Sequence, residues 1–231
     1  MKSIVHNLKY AWPVHFWLVS IFLCISSCTV QKSASVADNG QSKTKTQQEV
    51  GNSQQSDGYR ASEGKVLKID YLTPIQEIRN PSLIAYKDKR RLYVICSGKV
   101  VRDYPVGLGS YPKGDKERDG DHRTPEGDFF VCAKNPGGPF SRSLGISYPT
   151  RKHAEKGAFE RLISPAALHE ILQAQDKKLQ PPWNTPLGGD IFIHGGGAYS
   201  DWTDGSIALY NSDMKELFDI TQLGTPVHIR P

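Results

Sequence analysis

Two short stretches of the chain place residues with catalytic chemistry next to glycines. The apolar run Ile191–Ile193 delivers His194 directly into Gly195–Gly197, where backbone N–H groups can approach a ligand closely. Further along, Ser206 follows Gly205 at the start of another apolar run. A histidine at one strand end and a hydroxyl at a glycine turn fit a general base and a nucleophile. From the residues alone, a histidine packed beside glycines for structural reasons remains the alternative.

Two further sets of groups around this pair are candidates for contact with a substrate. The backbone at Gly195 and Gly205 is predicted to hold a developing oxyanion, because free N–H groups stabilise negative charge. Tyr199, Trp202 and Asp204 lie in or beside the polar loop between the two stretches. Binding sites combine aromatic surface with a few polar groups, so these three side chains are predicted to face the substrate.

The sequence predicts no metal site and no organic cofactor. Asp115, Asp119 and Asp121 are close together, but the pattern does not continue to the distal glutamate of an EF-hand, which favours a solvated loop. His122 and His194 lack the spacing of zinc-binding histidine motifs.

Short apolar runs with glycine and proline between them must position these residues. Arg91–Cys96 and Lys99–Val106, joined by Ser97-Gly98, predict a hairpin. Other strands are predicted at Val66–Tyr71, Gly127–Ala133, Leu144–Tyr148, Asp190–His194, Ser206–Tyr210 and Val227–Arg230. This pattern predicts a mainly β domain, a sandwich or barrel with a few short helices.

Two helices are predicted. Ser164–Leu179 opens with Ser-Pro, a good cap followed by proline at the first helical position. Asp213–Ile220 opens with Asp213 and has Glu216 three residues later, which resembles a capping box.

Composition narrows the class of protein. The chain has 231 residues, a formal net charge of +5, 38% hydrophobic residues and four cysteines. A multi-pass membrane protein is excluded because only one long apolar stretch exists, and a disulfide scaffold because cysteines are too few. The mild, dispersed positive charge does not indicate nucleic-acid binding. Cys96 and Cys132 are predicted to be buried thiols, with a disulfide between them as the alternative.

The N-terminus has the pattern of an export signal. Residues 1–27 combine a charged start, a short apolar run and small residues. The end of this segment, Ile25–Cys28, resembles a bacterial lipobox, which implies cleavage before Cys28 and a membrane-anchoring lipid on its thiol. An uncleaved anchor is the alternative. Residues 28–63 are predicted to be a flexible tether, and residues 64–231 the globular domain. Thr29 is not acidic, which favours the outer membrane, with the domain facing the periplasm.

The same stretches resemble a known family, the L,D-transpeptidases or YkuD family. His194-Gly195 matches the first half of its catalytic signature, and Thr203–Ser206 aligns with its Ser-His-Gly-Cys element. Upstream, Arg123–Phe129 is similar to the family's Thr-Pro-x-Gly-x-Phe segment, and Pro182–Gly189 resembles the residues that precede the catalytic strand in relatives. The resemblance implies the fold of the L,D-transpeptidase catalytic domain.

The resemblance also implies a reaction. A cysteine thiolate attacks the peptide bond after meso-diaminopimelate in a tetrapeptide stem of peptidoglycan, and an amine of a second stem or a lipoprotein resolves the acyl-enzyme. Some relatives hydrolyse such links instead. The histidine, here His194, acts as base and then as acid, and neither a metal nor a cofactor takes part. Peptidoglycan stem peptides are therefore the expected partners of a protein expected to be monomeric.

The sequence departs from the family pattern at two positions. Ser206 occupies the position of the nucleophilic cysteine, and Asp204 that of the second histidine. A hydroxyl is a weaker nucleophile than a thiolate and needs concerted removal of its proton. Three interpretations stay open: Ser206 is a serine nucleophile, the domain binds peptidoglycan without turnover, or the serine is an engineered trap. The retained signal segment weakens the third.

Overall fold

The computed structural model describes residues 59–60, 66–140 and 142–231. The predicted export signal, Cys28 and nearly all of the predicted tether lie outside these residues, but Tyr59–Arg60, at the end of the tether, form the first strand. Within the described residues, no helix has the length and apolar character needed to span a membrane.

The fold is a β-sheet with three short helices, as the sequence predicts. The strands are β1 (Tyr59–Arg60), β2 (Val66–Ile69), β3 (Ser82–Tyr86), β4 (Arg91–Cys96), β5 (Lys99–Pro105), β6 (Gly127–Asn135), β7 (Ser143–Ile146), β8 (Phe192–His194), β9 (Ile207–Ala208) and β10 (Pro226–Arg230). The helices are α1 (Arg151–Phe159), α2 (Pro165–Asp176) and α3 (Asn211–Ile220), and a single 3₁₀ turn spans Ile75–Glu77.

The ten strands are hydrogen-bonded in the order β1-β2-β5-β4-β3-β10-β6-β7-β8-β9. Isolated bridges then join Gly107 to Ala208 and Gly109 to Thr203, so the segment after β5 pairs with the last strand in the order. This return partly closes the sheet and brings the β5–β6 connection against β9. The connection is called the 106–126 loop below.

The predicted hairpin is confirmed. In β4, Leu92, Val94 and Cys96 are buried and alternate with half-buried residues, as expected for a strand with one face on the core. Ser97 and Gly98 both have positive φ (50° and 75°), the backbone that a two-residue hairpin turn requires.

The helices differ from prediction in three respects. The start of α2 is confirmed, because Ser164 accepts a hydrogen bond from Ala167 N–H and Pro165 is the first helical residue, but the helix ends at Asp176. The predicted start of α3 at Asp213 is wrong, because Tyr210 caps the helix. Glu216, predicted to take part in a capping box, instead accepts hydrogen bonds from Arg102 and Tyr104. Helix α1 and strand β3 were not predicted at all.

Strands β7, β8 and β9, in or next to which His194 and Ser206 lie, contribute side chains to the main hydrophobic core. Leu144, Ile146, Ile193, Ile207 and Leu209 are fully buried and come from β7, β8, β9 and the residue after it. These short strands carry few backbone hydrogen bonds, so their positions depend on this packing.

Cys96 and Cys132 form no disulfide. Cys96 is buried, as predicted, whereas Cys132 is only partly buried. Burial raises the pKa of the Cys132 thiol to about 12, so it remains protonated and unreactive at neutral pH.

Candidate active site

His194 is the last residue of β8 and has a fixed ring orientation. Its Nδ1 lies 2.5 Å from the carbonyl oxygen of Gly195. A carbonyl only accepts hydrogen bonds, so Nδ1 carries the proton and donates it to Gly195. The other ring nitrogen, Nε2, therefore has a free lone pair and can act as a base.

Aromatic side chains cover the His194 imidazole. The ring centroids of Phe140 and Trp202 lie 4.6 Å and 5.6 Å from it, and the residue is only 5% exposed. Burial lowers the pKa of His194, because it disfavours the charged form, and the hydrogen bond to Gly195 opposes this only in part. The imidazole is therefore neutral near pH 7.

Ser206 immediately precedes β9, beside β8. Its Oγ accepts a hydrogen bond from Phe192 N–H at 3.1 Å, and its carbonyl oxygen accepts one from Thr203 Oγ1 at 2.7 Å. Within the described chain, no hydrogen bond joins Ser206 to His194. The hydroxyl is thus hydrogen-bonded to the backbone of the strand that carries the histidine.

The turn before Ser206 requires glycine at position 205. Gly205 has φ +127°, and a Cβ there would lie 2.7 Å from the carbonyl oxygen of Arg123. The N–H of Gly205 donates to Thr203 Oγ1 at 3.2 Å, so it is already engaged within the turn. The other predicted glycine, Gly195, packs closely as well, since a Cβ there would lie 2.4 Å from Asn211 Oδ1.

A groove of about 930 Å³ opens in front of these residues and is called the groove below. Aromatic rings on its surface come from Phe140, Trp183, Phe192 and Trp202. Its polar side chains include Asp119, His122, Asp190, His194, Asp204 and Ser206. The volume lies within the usual range of ligand-binding pockets.

Two of the three predicted substrate-facing residues line the groove. Trp202 does so with its Nε1–H donating to Gly197 O at 3.1 Å. Asp204 lies at the rim, with its side chain 92% exposed. Tyr199, by contrast, lies outside the groove lining, because its ring packs edge-on against Tyr210 at 5.0 Å.

Phe140 and His122 are among the groove residues that sequence reasoning did not assign to the site. Phe140 comes from the β6–β7 connection and covers His194. His122, in the 106–126 loop, has its Nδ1 2.8 Å from Asp204 Oδ1. The backbone of His122 is left-handed, with φ +55°, and the sequence gives no sign of this conformation.

The predicted solvated loop of aspartates is held in place by hydrogen bonds. Asp115 accepts from Lys152 and from Glu126 N–H, and Asp121 accepts from Lys116. No group of three or more metal-ligating side chains occurs among the described residues.

A family model for the L,D-transpeptidase catalytic domain, YkuD, matches residues 80–229. The chain belongs to this family. The match runs from just before β3 almost to the end of β10, and it contains every groove residue named above.

Solved structures of L,D-transpeptidases are similar to this L,D-transpeptidase domain. An L,D-transpeptidase from Mycobacterium smegmatis is 15% identical with a TM-score of 0.40, over 66% of this chain and 59% of that one. Bd1075 from Bdellovibrio bacteriovorus is 20% identical with a TM-score of 0.44, over 67% and 49%. The helical cell shape determining protein Pgp2 from Campylobacter jejuni is 21% identical with a TM-score of 0.41, over 69% and 53%.

The aligned part thus spans between about half and three-fifths of each of these three chains. Among curated proteins, none matches this L,D-transpeptidase family member.

Proposed function

We propose that the domain transfers acyl groups from peptidoglycan tetrapeptide stems, with Ser206 as nucleophile and His194 as base. The observation that carries this proposal is the hydrogen bond from His194 Nδ1 to Gly195 O, which leaves Nε2 unprotonated beside the groove. A neutral, oriented imidazole next to a hydroxyl on the adjacent strand is the arrangement that nucleophilic catalysis needs.

The first half of the reaction would form an acyl-enzyme. Ser206 Oγ attacks the carbonyl carbon of the stem's peptide bond while His194 Nε2 accepts the hydroxyl proton. The new imidazolium then gives that proton to the leaving amine as the C–N bond breaks. The Ser206 N–H is the candidate donor to the oxyanion, since the Gly205 N–H is engaged by Thr203.

The serine at position 206 makes this a slow enzyme by comparison with a cysteine version. A serine hydroxyl must lose its proton during the attack, whereas a thiol beside a histidine is readily ionised beforehand. The acyl acceptor is an amine of a second stem or of a lipoprotein, or water if the enzyme is a peptidase.

We place the protein outside the cytoplasm as a lipoprotein, on the basis of the N-terminal pattern alone. In this proposal a lipid on Cys28 anchors the chain, and residues 28–63 let the domain reach the peptidoglycan as a monomer. The outer membrane, facing the periplasm, is the proposed site.

A second candidate function is stem binding without turnover. The observation that favours it is the hydrogen bond from Phe192 N–H to Ser206 Oγ, which holds the hydroxyl on the backbone rather than on His194. In this alternative the groove retains affinity for stem peptides after loss of the reaction.

Incubation of the full chain with disaccharide-tetrapeptide tests the two candidates. Mass spectrometry should detect cross-linked, exchanged or trimmed product, and Ser206→Ala and His194→Gln should each abolish it. Binding to purified sacculi with no product from the wild-type chain would reject acyl transfer and favour the binding function.

A further inference from the structure

A second histidine lies beside the turn that carries Ser206. His122 Nδ1 is 2.8 Å from Asp204 Oδ1, although the two residues are far apart in sequence. The backbones are also in contact, because a Cβ on Gly109 would lie 2.2 Å from His122 O and 3.1 Å from Gly205 Cα. The 106–126 loop and the Thr203–Ser206 turn therefore form one packed unit.

The two histidines approach this turn from opposite sides. Strand β8, with His194, pairs with β9 on one side. The 106–126 loop, with His122, reaches the turn from the other side through the bridge between Gly109 and Thr203. Ser206 thus precedes a strand that has an imidazole-bearing neighbour on each side, and all three side chains line the groove.

The carboxylate of Asp204 gives His122 the properties of a base. An ionised carboxylate only accepts hydrogen bonds, so Nδ1 of a neutral His122 carries the proton and Nε2 is free to accept one. The same pairing of a carboxylate with an imidazole orients the base in serine hydrolases.

The environments of the two histidines suit different steps. His194 is 5% exposed under aromatic rings, where a charged acceptor is poorly accommodated. The side chains of His122 and Asp204 are 48% and 92% exposed at the rim of the groove. The His122–Asp204 pair is therefore accessible to an acceptor that arrives from solvent.

We infer that the His122–Asp204 pair is a second base, which takes the proton of the acyl acceptor during deacylation. This inference rests on the acyl transfer proposed above. The acceptor's nitrogen, or water's oxygen, bonds to the acyl carbon as its proton passes to His122 Nε2. The bond from that carbon to Ser206 Oγ then breaks, and the Ser206 oxygen takes a proton from water in the open groove, to which the His122 imidazolium returns the proton that it accepted.

The test separates the two halves of the reaction in the full chain. Disaccharide-tetrapeptide is mixed with wild type, His194→Gln, His122→Gln and Asp204→Asn, with and without a stem amine as acceptor. Intact-protein mass spectrometry follows the acyl adduct, and product analysis follows turnover.

We expect His194→Gln to form no adduct. In His122→Gln the adduct should form at the wild-type rate and accumulate, with turnover about 100-fold slower. Asp204→Asn should show a smaller slowing.

The chain offers a matched control at a second pair of the same kind. His228 Nδ1 lies 2.6 Å from Asp128 Oδ1, outside the groove lining. His228→Gln should leave both adduct formation and turnover unchanged. Contacts between exposed polar side chains contribute little to stability, so neither His122→Gln nor His228→Gln should alter unfolding.

Each outcome decides the matter. Accumulation of adduct in His122→Gln but not in His228→Gln supports the inference. Wild-type turnover in His122→Gln, or loss of the adduct itself, overturns the inference and leaves the proposed acyl transfer standing. A wild-type chain that forms neither adduct nor product overturns both. ¹⁵N NMR gives a separate readout: His122 should be protonated at Nδ1 in wild type, and this preference should weaken in Asp204→Asn.

Discussion

At the scale of single residues, the proposed acyl transfer pairs an oriented imidazole with a hydroxyl, which is a weak nucleophile. His194 has a fixed tautomer and a buried, neutral ring. Ser206 has a hydroxyl that accepts a backbone hydrogen bond and is not ionised at neutral pH. The rate of acylation should therefore be limited by removal of the serine proton.

Replacing that hydroxyl by a thiol should relieve the limitation. We expect Ser206→Cys to acylate on the order of tenfold faster or more, because a thiol near a histidine ionises before it attacks. Adduct formation with disaccharide-tetrapeptide measures the effect. Cys132→Ser in the same background is the control, since the high pKa of Cys132 makes that thiol inert. If Ser206→Cys acylates more slowly than wild type, the geometry around residue 206 suits a hydroxyl better than a thiol.

The lowered pKa of His194 predicts how acylation depends on pH. The base works only in its neutral form, and burial lowers its pKa from the ordinary value of 6.5. The midpoint of the decline of acylation toward acid should therefore lie below pH 6.5, the ordinary pKa of a histidine. Stopped measurements of adduct formation from pH 4 to 8 check this. A decline centred above pH 7 would contradict a buried, neutral His194.

At the scale of elements, the 106–126 loop must be held firmly to bring His122 to the turn. Lys87 follows β3 and is 3% exposed. Its ammonium donates at 2.5 Å to Gly114 O, at 2.8 Å to Thr124 O and at 2.8 Å to the carboxylate of Glu126. One buried charge thus fastens three points of the loop to the end of a core strand.

Removal of this charge should loosen the loop and destabilise the fold. Lys87→Met leaves the Glu126 carboxylate and two carbonyl groups without their partner, a loss of about 3 kcal/mol. Urea unfolding measures the stability. Hydrogen exchange at Tyr111 N–H, which donates to His122 O, reports on the loop. The control is Lys113→Met, at an exposed lysine of the same loop. Equal free energies of unfolding for the two variants would show that Lys87 does not stabilise the fold.

The sequence predicted those elements whose pattern is local. The β4–β5 hairpin has alternating apolar residues and a Ser-Gly turn, and α2 begins with Ser-Pro. Helix α1 was not predicted, because its buried residues His153, Ala154 and Gly157 form no apolar stripe. Its interior face is created by packing on Leu187 rather than by its own hydrophobicity.

The same limit applies to the site. His194 and Ser206 could be predicted as site residues because each stands next to glycines at one end of an apolar run. The His122–Asp204 contact could not, since it depends on how the 106–126 loop returns to β9. The sequence also does not reveal that the Tyr199 ring packs on Tyr210, outside the groove lining.

At the scale of the whole molecule, ionised side chains connect the 106–126 loop to helix α1. Asp115 of the loop accepts hydrogen bonds from Lys152 of α1, at 2.6 Å, and from Glu126 N–H, at 2.7 Å. His153 of α1 lies 3.2 Å from the same carboxylate. Burial alone would raise the pKa of Asp115, but these hydrogen bonds outweigh it and hold the pKa well below its usual range.

This lowered pKa predicts a loss of stability in acid. An unfolded aspartate takes up its proton near pH 4, whereas the folded Asp115 resists protonation until the pH is much lower. The stabilisation is therefore complete above about pH 5 and is lost as the pH falls toward the native pKa. Urea unfolding at pH 7, 5 and 3 should show wild type losing about 1 kcal/mol more than Asp115→Asn over this range. Asp88→Asn, at an exposed aspartate, should retain the wild-type dependence. If Asp115→Asn keeps it too, the acid sensitivity of the fold has another origin, and the loop is not joined to α1 through this charge.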